Sequence, residues 1–83
     1  MEFVSIRTQG LSESEVLDII EEAASVDREI QDFTVERFAG AVYLEVYFDE
    51  PFSQDMFEAS VGMIILMLED ASNGQRQEIV EEY

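Results

Sequence analysis

Hydrophobic and polar positions alternate with period two over residues 2–8. Val4, Ile6 and Thr8 fall on one face, and Phe3, Ser5 and Arg7 on the other, which predicts a strand ended by Gln9-Gly10. The period then lengthens to that of a helix. Ser12 followed three residues later by Glu15 forms a capping box, and Leu11 with Val16 forms a hydrophobic staple. The helix is predicted to run to Val26. Val16, Leu17, Ile19, Ile20, Ala23, Ala24 and Val26 fill one half of its wheel, and Glu15, Asp18, Glu21, Glu22 and Ser25 the other.

Alternation returns over residues 32–49. Phe33 and Val35 alternate with Thr34 and Glu36; after Ala39-Gly40, Val42, Leu44, Val46 and Phe48 alternate with Tyr43, Glu45 and Tyr47. A two-residue loop at Ala39-Gly40 pairs Val35 with Leu44 and Phe33 with Val46, so all four are expected to be buried on one face. The same register sets Glu36 beside Tyr43 and Thr34 beside Glu45 on the opposite face. Glu50-Pro51 ends this hairpin.

Ser53 is the expected N-cap of a second helix, with Phe52 and Phe57 as its staple and Asp55 in the first turn, where the helix dipole favours a carboxylate. The helix reaches about Ser72, and Asn73-Gly74 supplies the stop. Phe57, Val61, Ile64, Leu68 and Ala71 form its core stripe; Met56, Met63, Leu66 and Met67 form a second apolar stripe. The tail, through Ile79, Val80 and Tyr83, is read as an optional short amphipathic helix. The order β-α-β-β-α thus predicts an α/β (α+β) two-layer sandwich in which a three-stranded sheet packs on helices, over one domain, residues 1–83. The connection through the first helix is expected to be right-handed. Whether the first strand lies beside the second or the third is open.

Charge changes the picture most. The 83 residues hold 20 Asp and Glu against 4 basic residues, all arginine, a formal charge of −16. At 47% hydrophobic, the chain is too apolar for a disordered acidic tail. The absence of cysteine and histidine removes thiolate chemistry, disulfides, zinc–thiolate sites and the usual neutral-pH acid–base group. Direct binding to nucleic acid or to anionic lipid is disfavoured by repulsion. The longest nearly apolar run, residues 59–68, is about half the roughly 20 residues a membrane helix needs, and the start Met1-Glu2-Phe3 lacks a basic signal-peptide region. A cytoplasmic location in a bacterial or archaeal host is the expectation.

Candidate chemistry is correspondingly narrow. Carboxylates abound, but no phosphate loop, nucleophile elbow or zinc-binding helix motif is present, and Asp49, Glu50 and Asp55 do not have calcium-loop spacing. Neither catalysis nor a cofactor nor a metal is expected. Glu15, Asp18, Glu21 and Glu22 form a one-signed helix face in which no lysine or arginine answers at i+4. Such a row can stand in for a phosphate backbone; an ordinary solvated face accounts for the same residues. Glu36, Tyr43, Glu45 and Tyr47 share the outer sheet face with Phe38, a second candidate surface unless the tail or a helix covers it. The stripe of Met56, Met63 and Met67 reads as core against the first helix, or as a homodimer surface.

In size, charge and isolated-domain character the chain resembles phage anti-defence proteins, among them anti-CRISPRs and other DNA mimics. The resemblance is one of composition. It implies a small acidic inhibitor that occupies a basic, nucleic-acid-binding surface of a larger protein. Two alternatives fit the same residues: an immunity protein for a basic toxin nuclease, and an acidic domain or dimer of a high-salt cytoplasm with no inhibitory role.

Overall fold

The computed structural model describes residues 2–49 and 53–82. It contains six elements: β1 (Glu2–Thr8), α1 (Glu13–Val26), β2 (Ile30–Phe38), β3 (Ala41–Phe48), α2 (Gln54–Ala71) and β4 (Glu78–Glu82). The sheet has four strands in the order β2-β3-β1-β4, each antiparallel to its neighbour. β1 and β2 therefore run parallel with β3 between them, and α1 connects them. The tail is a strand, not a short helix, and the sheet has four strands rather than three. The reason is the free edge of β1: once β3 occupies one side, the other offers unpaired backbone groups that β4 satisfies. Tyr83 and Phe52 lie outside the described residues, so the Phe52 staple does too.

Local signals set the helix ends. The Ser12 hydroxyl accepts from the Glu15 backbone N–H at 3.2 Å, and the Glu15 carboxylate accepts from the Ser12 N–H at 2.8 Å. Ser53 caps α2 by accepting from the Met56 N–H at 3.1 Å. At the far end of α2, Asn73 and Gly74 take positive φ of 60° and 86°, and the Gly74 N–H donates to the Glu69 carbonyl at 2.7 Å. The hairpin turns at Ala39-Gly40 with φ of 52° and 80°, the pair of positive values a two-residue type I′ loop needs. Its register is the expected one: Val35 opposite Leu44, Phe33 opposite Val46, Glu36 opposite Tyr43 and Thr34 opposite Glu45.

The core lies between one sheet face and the two helices. Val4, Ile6, Val42, Leu44, Val46 and Phe48 from the sheet meet Val16, Ile20 and Ala23 of α1 and Phe57, Val61, Ile64 and Leu68 of α2. Phe48 and Phe57 pack edge to face at 5.3 Å. Several apolar residues expected inside are not. Phe33 and Val35 are only half-buried, because β2 is an edge strand with no neighbour on its outer side. Leu17 and Val26 are exposed; each lies about a quarter turn from the line of Val16, Ile20 and Ala23. Ala71, in the last turn of α2, is exposed as well.

Candidate functional site

Both helices pack on the same side of the sheet, and no described element covers the other side. β-strand alternation puts residues 32, 34, 36 and 38 of β2, residues 41, 43, 45 and 47 of β3 and residues 3, 5 and 7 of β1 on this open face. The bulge of β4 between the partners of Ser5 and Ile6 sets Glu81 beside Ser5 and Glu78 beside Arg7. Rows can then be read across the sheet: Asp32–Tyr47–Phe3, Thr34–Glu45–Ser5–Glu81, and Glu36–Tyr43–Arg7–Glu78. Ser5 is buried although it faces outward, because a small side chain between the longer Glu45 and Glu81 is hidden by them.

Aromatic rings interleave with these carboxylates. Phe3 and Tyr47 lie 5.0 Å apart, and Phe38 meets Tyr43 edge-on at 6.4 Å with an interplanar angle of 63°. Phe38 is 69% exposed, a high value for a phenylalanine in a strand. The Glu45 carboxylate accepts from the Thr34 hydroxyl at 3.1 Å. The Tyr47 phenol is held above its ordinary value of 10.0, first by desolvation, then by the charge and hydrogen bond of Glu45, and further by Asp32 and Glu36. Glu36, Phe38, Tyr43 and Glu45 line a shallow depression of about 190 Å³.

The eight candidate residues do not form one surface. Glu36, Tyr43, Glu45 and Tyr47 are brought together on the open sheet face. Glu15, Asp18, Glu21 and Glu22 are all exposed on α1, opposite its buried Val16, Ile20 and Ala23, and so look away from the sheet. The core separates the two groups, and one flat partner surface cannot touch both. The methionines divide as well: Met56 is exposed, whereas Met63 and Met67 are half-buried and packed against the core. Of the large apolar side chains of α2, Leu66 at 66% and Met56 at 48% are exposed.

Other features complete the chemistry. Arg37 reaches from β2 to Glu13 of α1 at 3.0 Å, an exposed pair worth little to stability. Among the described residues no group of three or more acidic side chains is placed to hold a metal ion, and no helix is long and apolar enough to cross a membrane. A residue with no sequence signal, Gln77, is buried and ties three segments together. Its Oε1 accepts from the Gln9 N–H at 2.8 Å, and its Nε2 donates to the Gln75 carbonyl, the Ser72 hydroxyl and the Gln9 carbonyl at 2.8, 3.1 and 3.2 Å. No known family and no curated protein matches the sequence.

Proposed function

We propose that this protein is a small acidic inhibitor that docks its open sheet face onto a basic, nucleic-acid-binding surface of a larger protein. The observation that carries the reading is the uncovered face itself, on which Glu36, Glu45 and Asp32 alternate with Phe3, Phe38, Tyr43 and Tyr47. Carboxylates in rows offer a cationic groove the charge it meets in a phosphate backbone, and tyrosines supply the apolar anchors that hold interfaces. The four acids on the outside of α1 contribute to the steering field rather than to the contact. A role in binding rather than catalysis follows, of the kind phage anti-defence proteins and toxin-immunity proteins perform inside a cell.

The test is association with a purified nucleic-acid-binding protein identified by capture at low salt. Duplex DNA should compete with the inhibitor for it, and added salt should slow association. Tyr43→Ala with Tyr47→Ala should raise the dissociation rate with little change in salt dependence. Changing Asp18, Glu21 and Glu22 to their amides should slow association and leave dissociation unchanged. A complex that DNA does not disturb, or that the tyrosine variant leaves intact, refutes the reading. One observation favours a second reading: acidic residues occupy the helix layer, the open face and β4 alike, the distribution of a protein adapted to high salt.

A further inference from the structure

We propose that the depression bounded by Glu36, Phe38, Tyr43 and Glu45 is a receptor for a single arginine side chain of the partner, an assignment that rests on the open sheet face being the docking surface. Three features of the depression converge. Glu36 stands directly opposite Tyr43, and Glu45 follows Tyr43 on the same face of β3, so two carboxylates flank one ring. Phe38, edge-on to Tyr43, raises the wall on the side of the hairpin turn. Glu45 already accepts from the Thr34 hydroxyl at 3.1 Å, so fixing it on binding costs less side-chain freedom.

Among the described residues no cation is paired with Glu36 or Glu45; Arg37 is directed to the other side of the sheet, onto Glu13. Arg7, beside Tyr43 on β1, does not line the depression. Two negative charges beside two aromatic rings match a guanidinium better than an ammonium. The planar fork can give separate N–H groups to two carboxylates while its face lies on a ring, and it sheds water more readily. An ammonium satisfies one carboxylate as a point charge and keeps more of its hydration.

The experiment is an amide-resolved NMR titration of the protein with three short glycine-flanked peptides, alike except for a central arginine, lysine or citrulline. The arginine peptide should give saturable shifts centred on residues 36, 38, 43 and 45, and bind about fivefold more tightly than lysine; citrulline should give none. Glu36→Gln and Phe38→Ala should each weaken it about fivefold, and both sites are exposed, so the fold tolerates them. Equal shifts by arginine and lysine spread over all acidic segments, unchanged in Glu36→Gln, would overturn the assignment. Failure here and failure of the function differ. If the pocket variants still capture a basic partner that the Tyr43 and Tyr47 double variant loses, the receptor is wrong and the docking face stands. If the arginine peptide binds but no DNA-competed partner exists, the receptor stands and the inhibitor reading falls.

Discussion

Replacing Gln77 with alanine should loosen β4 from the rest of the molecule. The side chain is 6% exposed and lies within hydrogen-bond distance of four atoms, two of Gln9 at the end of β1, one of Ser72 at the cap of α2 and one of Gln75, with the two Nε2 hydrogens shared among three of them. At about 0.5–1.5 kcal/mol net for each of the three full bonds this allows, the upper sum is about 4.5 kcal/mol. Gln9 is exposed, so water recovers part of what its backbone loses, and about 2–3 kcal/mol is the expected cost. A domain of 83 residues has roughly 4–12 kcal/mol in all. The loss should lower Tm by about 10–20 °C. Amide hydrogen exchange should show β4 and the paired edge of β1 opening first, ahead of β2 and β3.

Gln77→Glu sharpens this test. Its oxygen can still accept from the Gln9 N–H, but the Gln9 and Gln75 carbonyls now face an oxygen where a donor stood, and only the Ser72 hydroxyl can turn to donate, by giving up its own carbonyl partners. Ionisation is therefore disfavoured in the fold, and the folded pKa rises above the ordinary value near 4.3. A raised folded pKa means that stability is present below that value and lost as pH increases. The glutamate variant should be markedly less stable at pH 7 than at pH 4, relative to the parent at each pH. A cost under about 0.5 kcal/mol for the alanine variant, or unchanged exchange in β4, would refute the role given to Gln77.

Ala39 holds a positive φ of 52° without glycine's freedom, so Ala39→Asn should stabilise by about 0.5–1 kcal/mol in a denaturant melt. Gly62 lies inside α2, and a methyl group there meets nothing within 4 Å; Gly62→Ala should likewise gain about 0.5–1 kcal/mol. The Tyr47 phenol should titrate above 10.0 in an NMR pH series, and Glu45→Gln should lower it toward that value. Because folding raises that value, the stability it contributes is present below pH 10 and lost as pH rises past it. Added salt at pH 7 should raise Tm by screening the −16 charge; a fall would contradict self-repulsion.

Much of the fold was legible because its signals are local. Ser12 and Glu15, Ser53, Asn73-Gly74 and the Ala39-Gly40 loop each act through hydrogen bonds or φ values within a few residues. The hairpin register was legible because a one-residue slip would bury Glu45 in place of Leu44. β4 was not: Glu78-Ile79-Val80-Glu81-Glu82 sets two adjacent apolar residues among acids, a pattern with neither period, and its pairing comes from a distant strand. Gln77 gave no signal either, since two of its contacts are to Gln9, 68 residues away, and an isolated glutamine carries no periodic pattern. Half of the candidate surface was legible as a set on β2 and β3. Its separation from the α1 acids follows from layering, since the outside of a helix layer and the outside of a sheet are opposite faces of one sandwich.

Charge alone does not decide what the molecule is for. A protein adapted to high salt carries carboxylates outward on every layer, and those of α1 and β4 need no other explanation. Hydrated carboxylates gain nothing from aromatic neighbours, however, and solubility is better served without them. The open face places Phe38 at 69% exposure against Tyr43 and pairs Phe3 with Tyr47, while Thr34 donates to the Glu45 carboxylate. A carboxylate tied to a neighbouring hydroxyl is what the docking proposal expects, whereas solvation alone asks for no such tie. The aromatic residues and the ordered glutamate, not the count of acids, are therefore what distinguish a docking surface from a salt-adapted one. A variant that keeps all 20 acidic residues and loses Phe38, Tyr43 and Tyr47 separates the two readings most directly.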